Sequence, residues 1–330
     1  MPAMTTPCPH ALLAILITIT CLSHCMHAVA CGSGGIASYA DLATLNALTS
    51  CAVFNAPLSI SLPTVTSYTA YNLSYVSTVN GTLSLTFGSS NSAPYSLHFQ
   101  FSTLAAVFGN LAIVINGHAE NLTFNALSYV SGSISVVSNG VLMAMSFLGA
   151  TPLVIGGSLQ VSSSASQTSS IGTVSVAQLG SVVGDVSISA QSGPISGVTI
   201  VGSNLTVSGT LRVSTSVFAN SNIGPVTVSG INSLGAISVG TGLNNIGNVQ
   251  ISGPSFSVTG SITLQTASNS GAITSVAISG LSSVGSDLDI HSHAGAIGPV
   301  TINNQTTSCA TTSLAVAGNV IIQTNVRFNL

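Results

Sequence analysis

The chain has 330 residues but only two basic and five acidic side chains, whereas average composition would supply roughly eighty charged residues. Both bases are arginines, Arg212 and Arg327, so no basic patch can neutralise several phosphates, and nucleic-acid binding is excluded. The apolar set is rich in β-branched residues, which excludes a coiled coil or helical bundle, and it is too large for intrinsic disorder. An all-β fold is expected.

Residues 1–30 are interpreted as a secretory signal peptide. Ala11 to Cys21 form an apolar core segment, and Ala28-Val29-Ala30 fits a signal-peptidase site ahead of Cys31. An uncleaved anchor is the alternative. A bacterial lipoprotein reading of Ala30-Cys31 is weakened by the absence of Lys and Arg from Met1 to His10. The sequence thus predicts export.

The mature chain is expected to be soluble and secreted, with association at the cell surface left open. No later segment offers the roughly eighteen uninterrupted apolar residues of a membrane span. The last residues, Asn325 to Leu330, do not resemble the hydrophobic tail of a GPI signal.

Three cysteines follow the signal peptide: Cys31, Cys51 and Cys309. Cys31 and Cys51 bracket a short segment, and we predict that they form a disulfide, which would contribute roughly 3 kcal/mol of stability. Cys309 is left over. It is either a buried small apolar residue or the site of an intermolecular disulfide that would give a covalent dimer.

A short N-terminal cap is predicted over residues 31–55. Ser38 can cap a helix in which Leu42, Leu45 and Leu48 recur at helical spacing. A terminal coil of a repeat protein would otherwise expose an apolar face, so this helix and the predicted disulfide are expected to cover that end.

A strand pattern, in which two apolar residues flank a small or polar one, recurs from residue 56 to the C-terminus at intervals of roughly 25 residues. From Ile171 onward each unit also contains a second strand of the form Ile-Gly-x-Val-x-Val/Ile. The first apolar residues of the eleven copies are Leu58, Leu83, Leu111, Ile134, Leu159, Val186, Leu211, Ile237, Ile262, Leu288 and Val320.

This repeat predicts a single parallel β-solenoid of about eleven coils over residues 56–330. The strand period of two sends the apolar pair inward, and stacking coils about 4.8 Å apart buries these residues as continuous ladders. Glycines such as Gly209 and Gly235 lie just ahead of strands, where we expect corners to need unusual backbone angles.

The chain resembles the receptor L-domain superfamily, which includes EGF and insulin receptor ectodomains and fungal GPI-anchored cell-wall glycoproteins. The entry signature is Cys31, the segment from Ile36 to Leu48, Cys51 and the strand Leu58-Ser59-Ile60; the repeat signature is Leu-x-x-Val-Gly-x-x-Leu-x-Ile, as in Leu281 to Ile290 and Leu179 to Ile188. The resemblance implies a leucine-rich-repeat-like β-helix, extracellular binding or wall organisation, and no catalysis.

One cluster could carry chemistry of two kinds. Asp287, Asp289, His291 and His293 alternate along one segment, and adjacent members about 6.6 Å apart could chelate zinc, although four in a row cannot converge. The alternative is a solvated strand face. Asp287 and Asp289 also have a spacing near that of an inverting glycosidase pair, but Asp185 lies about four coils from Asp287. Neither a hydrolase nor a lyase is favoured, and no cofactor is expected.

Two surface features bear on binding. Sequons at Asn72, Asn80, Asn121, Asn204 and Asn304 could each carry a glycan in a secreted eukaryotic protein. An outward column on the second strand contains Thr199, Thr227, Gln250, Ala277 and Thr301. Gln250 and Ala277 interrupt the threonine array that ice binding would need. Hydroxyl-rich faces suit neutral glycans, although exposed aromatic stacking platforms are scarce, and the favoured alternative is an ordinary solenoid surface.

The sequence therefore predicts a secreted structural or adhesion protein of the cell surface or extracellular matrix that lacks catalytic activity. The alternative is an extracellular module that recognises a glycan or protein ligand on a flat sheet face. Ice binding and a polysaccharide-active enzyme are more distant alternatives.

Overall fold

The computed structural model describes residues 30–31, 34–36, 39–47, 51–65, 69–89, 97–164, 169–216, 221–267, 271–304 and 314–324. These ranges contain one helix, α1 (Tyr39–Ala47), and 28 strands. Most of the predicted signal peptide, as well as Ser38, Leu48 and Cys309, lies outside the described residues.

The strands follow one another in a regular series along the chain. The first fourteen are β1 (Ala30–Cys31), β2 (Gly34–Ile36), β3 (Val53–Phe54), β4 (Leu58–Val65), β5 (Thr69–Leu73), β6 (Thr78–Val79), β7 (Leu83–Ser89), β8 (Leu97–Phe101), β9 (Ala106–Val107), β10 (Leu111–Ile115), β11 (His118–Phe124), β12 (Tyr129–Val130), β13 (Ile134–Ser138) and β14 (Val141–Phe147). The other fourteen are β15 (Leu153–Ile155), β16 (Leu159–Ser163), β17 (Ser170–Val176), β18 (Leu179–Val182), β19 (Val186–Ala190), β20 (Ile195–Thr215), β21 (Val226–Thr241), β22 (Ile246–Val258), β23 (Ile262–Thr266), β24 (Ile273–Val284), β25 (Leu288–Ser292), β26 (Val300–Asn303), β27 (Ala315–Val316) and β28 (Val320–Thr324).

These strands build a parallel β-solenoid, as the sequence predicts. Its coils have three faces. Face 1 contains β4, β7, β10 and their successors, face 2 begins with β5 and β8, and face 3 contains the short strands that begin with β1 and β3. Strands β20 and β21 pass through all three faces without a break. Each strand therefore bonds to the coils before and after it.

The ladder predicted on face 1 is confirmed residue by residue. Each of the eleven predicted positions is the register partner of the next, from Leu58 opposite Leu83 to Leu288 opposite Val320. The solenoid makes about nine turns, slightly fewer than the eleven coils predicted.

Face 2 extends further toward the N-terminus than the sequence pattern indicates. The Ile-Gly-x-Val strands from β17 to β26 are where we expect them. Four earlier strands, β5, β8, β11 and β14, continue the same face. Their inward column contains Phe101, Phe124 and Phe147, whose rings stack at 4.8 and 5.1 Å, close to the spacing between coils.

The core is a continuous apolar interior along the solenoid. Inward residues of successive coils, such as Ile188, Val213, Val239 and Leu264, are 0–1% exposed. Removing such side chains from water contributes roughly 1.5–3 kcal/mol each. The apolar interior thus holds the three faces together, while backbone hydrogen bonds hold coil to coil.

A column of buried hydroxyl groups lies at the end of face 1, where the chain turns toward face 2. Thr266 Oγ1 donates to the carbonyl oxygen of Gly271 at 2.9 Å, and Ser292 Oγ donates to that of Gly295 at 2.7 Å. Other members are Ser138, Ser163, Thr215 and Thr241. Apart from Ser163, whose buried hydroxyl has no hydrogen-bond partner among the described residues, these residues give turn carbonyls a donor where water has little access.

The corner glycines are required for close packing, and the expectation of unusual backbone angles is wrong for them. Neither Gly209 nor Gly235 has a left-handed φ. A Cβ atom on Gly235 would lie 2.4 Å from the carbonyl oxygens of Gly209 and Ser208. Glycine at this corner therefore lets the backbone of one coil approach that of the preceding coil.

Helix α1 lies at the N-terminal end of the solenoid. Leu42 is fully buried and Leu45 is 9% exposed, as the helical spacing predicts. Asn46 Oδ1 accepts hydrogen bonds from the backbone N–H and hydroxyl of Ser74, just after β5, at 2.8 and 2.9 Å. The helix is thus tied to the first face 2 strand. No helix in the described ranges is long and apolar enough to cross a membrane.

The first prediction concerns the buried hydroxyl column. We expect Thr266→Val, which is nearly isosteric, to lower the free energy of unfolding by roughly 0.5–1.5 kcal/mol, because the Gly271 carbonyl loses one of its two hydroxyl donors and keeps only Ser292 Oγ at 2.7 Å. Thr263→Val on the outward side of the same strand should change it by less than about 0.5 kcal/mol. Urea denaturation of both variants measures the difference. Equal losses would show that the hydroxyl contributes nothing specific.

Candidate functional site

The cluster considered for zinc does not converge. Asp289 and His291 project outward from β25 on face 1, because Leu288, Ile290 and Ser292 point inward. Asp287 lies at the corner before the strand, where its Oδ1 accepts the backbone N–H of Asn319 at 2.7 Å. The members therefore have different surroundings and different partners.

His291 and His293 also differ in position. His291 Nδ1 lies 3.2 Å from Gln323 Nε2 in the following coil. His293 follows the end of β25, and its backbone N–H bonds to the Thr266 carbonyl at 3.2 Å. Across the described ranges, no three His, Cys, Asp or Glu side chains come close enough together to hold a metal ion.

The acidic residues at the corners have a structural explanation that the sequence did not reveal. Asp185 Oδ1 accepts the backbone N–H of Thr210 in the next coil at 2.7 Å, as Asp287 does for Asn319. Ser133, Ser158 and Asn110 make the same side-chain to backbone contact earlier in the column. Each such residue satisfies a backbone donor at the corner.

Asp185 and Asp287 are separated by four coils, as the sequence predicts. The residues that follow Asp185 and Asp287, Val186 and Leu288, are four coils apart in the face 1 ladder. At about 4.8 Å per coil this gives roughly 19 Å. An inverting glycosidase needs its two carboxyl groups within about 10 Å, so these two do not form such a pair.

The polar column predicted on face 2 is present. Thr199, Thr227, Gln250, Ala277 and Thr301 are successive register partners and point outward. Thr227 is half-buried, whereas the other four are exposed. The column forms a flat strip whose chemistry changes from hydroxyl to amide to methyl, so it lacks a regular hydroxyl array.

A groove of about 200 Å³ lies over the N-terminal part of face 2. We call it the face 2 groove. Its lining comes from three successive strands: Ala70, Tyr71 and Asn72 from β5, His98, Phe99 and Gln100 from β8, and Asn121 and Thr123 from β11. Register places Ala70, His98 and Asn121 in one row. Three coils therefore contribute side chains to one concave surface.

A contact between an imidazole and a carboxylate borders the face 2 groove. Glu120 is the extra residue of a β-bulge, because Ala119 pairs with Leu97 and Asn121 pairs with His98. The bulge brings Glu120 Oε2 to 2.8 Å from His98 Nε2. The two side chains are 40% and 28% exposed, so water screens their attraction and the pair contributes little to stability.

The groove combines hydrogen-bonding groups of several kinds. Asn72, Gln100 and Asn121 supply amides, and Glu120 and His98 supply a carboxylate and an imidazole beside them. Burial raises the pKa of the Tyr71 hydroxyl. That hydroxyl therefore stays neutral at physiological pH. This set can donate to and accept from a polyhydroxylated ligand in several directions.

Sequence reasoning did not identify the face 2 groove. The strands that form it lack the Ile-Gly-x-Val pattern, and the bulge at Glu120 breaks the alternation through which outward residues are recognised. The only signal in the sequence is the placement of His98 and Glu120, two of the few ionisable residues, within consecutive repeat units.

The predicted sequons occupy different surroundings. Asn72, Asn80 and Asn204 are exposed, whereas Asn121 and Asn304 are half-buried. Asn72 and Asn121 both line the face 2 groove. Thr123 Oγ1, the hydroxyl of the Asn121 sequon, donates to Asn121 Oδ1 at 2.8 Å.

The predicted disulfide falls at the edge of the described chain. Cys51 is disulfide-bonded, and its pairing with Cys31 stays a prediction. Strand β1 places the backbone of Cys31 opposite Phe54 of β3, in the neighbouring coil. Cys309 lies outside the described residues.

The second prediction concerns the corner residues whose side chains accept a backbone N–H from the next coil. Asp185→Ala should lower the free energy of unfolding by roughly 0.5–1 kcal/mol, since the N–H of Thr210 loses its acceptor. Asp185→Asn keeps an oxygen at the same place and should lose less than half as much. Urea denaturation compares the two. Equal destabilisation by both variants would mean that the charge, and not the hydrogen bond, stabilises the corner.

Comparison of the chain with protein-family models, with curated proteins and with solved structures finds no match. The resemblance to the receptor L-domain accordingly stays a prediction.

Proposed function

We propose that the protein is an extracellular structural or adhesion protein without catalytic activity. The observation that carries this proposal is the unbroken parallel solenoid, with flat outer surfaces that are rich in hydroxyl groups and nearly devoid of charge. Export through the predicted signal peptide and the receptor L-domain resemblance belong to the same proposal.

The outer surface of face 1 is suited to contact with a hydroxyl-rich matrix. Most of its outward residues are small. In one column Ser84, Ser135, Ser187 and Ser238 alternate with Ala112, Gln160 and Arg212. Small side chains on parallel strands give a flat surface at a fixed spacing of about 4.8 Å. Such a surface can form many weak hydrogen bonds with polysaccharide or protein at once.

Rigidity supports the same role. The ladder from Leu58 to Val320 spans ten coil-to-coil steps, or about 48 Å at 4.8 Å each. Because every coil is bonded to its neighbours and filled with apolar residues, the solenoid is a stiff spacer. Repeat proteins of this kind offer extended surfaces for binding.

Retention on source cells tests the structural proposal. Purified residues 31–330, incubated with intact source cells, should remain bound through washing at about 1 M salt, because few charges contribute to the contact and salt screens only charges. Release by a reductant would implicate Cys309 in a covalent link. Complete recovery of the protein in the medium would contradict a matrix or adhesion role.

A second candidate function is supported by the face 2 groove. His98 and Glu120, with three amide side chains nearby, form a local concentration of polar groups on a nearly uncharged protein. A concave surface with a few directed polar groups is typical of a binding site. A neutral oligosaccharide is the ligand class that this chemistry suits.

Two variants test the groove. Glu120→Gln and His98→Gln should each weaken binding of a neutral oligosaccharide by about tenfold, the effect of losing one charge-assisted hydrogen bond. Asp289→Asn, which removes a carboxylate from face 1, is the matched control and should leave the affinity unchanged. Isothermal titration calorimetry measures the dissociation constants. Equal affinity in all four proteins would exclude the groove as the binding site.

A further inference from the structure

One surface column brings a sequon next to exposed aromatic rings. Asn80 and Phe108 each follow the last residue of a face 3 strand, and those strands, β6 and β9, are register partners. The Asn80 N–H bonds to the Phe54 carbonyl at 2.7 Å, and the Phe108 N–H bonds to that of Val79 at 2.8 Å. Asn80 and Phe108 are therefore neighbours in consecutive coils, about 4.8 Å apart along the solenoid.

Gly81 and Gly109, which follow Asn80 and Phe108, show that these two coils are in close contact. A Cβ atom on Gly109 would lie 2.5 Å from the carbonyl carbon and oxygen of Gly81. The backbones that carry the two side chains thus touch at this corner.

Phe108 belongs to an exposed aromatic pair. It is 52% exposed, Tyr129 in the following coil is 37% exposed, and their ring centroids are 5.4 Å apart with an interplanar angle of 53°. Most other phenylalanines of the described chain point into the core. Two exposed rings in contact form a small apolar patch that an attached group can cover.

We propose that a glycan attached to Asn80 packs against the rings of Phe108 and Tyr129. Asn80-Gly81-Thr82 is a sequon, and Asn80 is exposed. The faces of aromatic rings carry partial negative charge and attract the polarised C–H groups on one side of a sugar ring. This inference rests on the export that belongs to the proposed function.

The hydrogen bonding of Asn80 is compatible with attachment. Asn80 Nδ2 donates one hydrogen to Asn55 Oδ1 at 2.8 Å, in the preceding coil. Glycosylation joins Nδ2 to C1 of the first sugar, releases the polyprenyl diphosphate of a lipid-linked oligosaccharide donor, and removes one N–H proton. A trans secondary amide retains the N–H opposite its carbonyl oxygen, and this N–H can still donate to Asn55. Asn55 and Phe108 lie in the coils on opposite sides of Asn80, so a sugar directed away from Asn55 is directed toward the coil that carries Phe108.

The other sequons provide an internal comparison. Asn204 is also exposed, but it lies before the face 3 segment of β20, at the corner between face 2 and face 3. A glycan there starts from a different corner from the one that carries Phe108. Protection by the aromatic pair is therefore expected at Asn80 and not at Asn204.

The test uses the full chain, expressed in a eukaryotic secretory host. The folded glycoprotein is treated with an amidase that removes N-linked glycans, and release from each sequon is followed by mass spectrometry of peptides. We expect Phe108→Ser to accelerate release from Asn80 by about 3- to 10-fold, as the loss of one aromatic contact implies. Release from Asn204 should not change.

Two further variants make the test specific. Tyr129→Ser should also accelerate release from Asn80. Val183→Ser removes another exposed apolar side chain, 62% exposed and further along the solenoid, and should have no effect. Release rates from Asn80 that are the same in wild type and Phe108→Ser would overturn the proposal, as would an unmodified Asn80 beside an occupied Asn204.

The remaining outcomes separate this inference from the proposed function. If the aromatic pair instead mediates contact between two copies, wild-type protein will dimerise and Phe108→Ser will be monomeric, which overturns glycan packing. A chain retained in the cell with every sequon unmodified overturns both this inference and the proposed export. Secreted protein with an occupied but unprotected Asn80 overturns this inference alone.

Discussion

The fold depends on the hydrogen bonding of each strand to the coils immediately before and after it. Because side chains alternate along a strand, a one-residue slip between coils would turn the whole apolar set outward. Leu211, Ile237 and Ile262 must therefore occupy the same place in successive coils, and they do. The corner glycines and the acidic corner residues serve this requirement, since they keep the backbone of each coil close to the last.

The repeated pattern predicted face 1 well, because inward residues such as Leu58 and Leu83 recur at nearly constant spacing with the same alternation. The later strands of face 2 were predicted for the same reason. The earlier ones were missed, since phenylalanine fills their inward column and their spacing is less regular. Phe101, Phe124 and Phe147 stack as a ladder only when the coils are in register, which is a property of the fold and not of any one segment.

The surface features were predictable only where they follow the strand period. Asp289 and His291 do lie on one face, but Asp287 occupies a corner and serves the backbone of the next coil. The contact of Glu120 with His98 requires a bulge, and the contact of Phe108 with Tyr129 requires the register of two coils. Both contacts depend on how one repeat pairs with the next. The repeat pattern along the chain does not contain that information.

The positions of the sequons bear on which surface is available to partners. Asn72 and Asn121 line the face 2 groove, and a glycan on either would fill a space of about 200 Å³, so glycosylation there and ligand binding in the groove exclude each other. None of the five sequons falls in a described strand of face 1. In a fully glycosylated protein the described strands of face 1 would therefore stay free of attached glycans. Its outward residues are mostly small, with exceptions such as Gln160 and Arg212, so a neighbouring surface can approach much of face 1 closely.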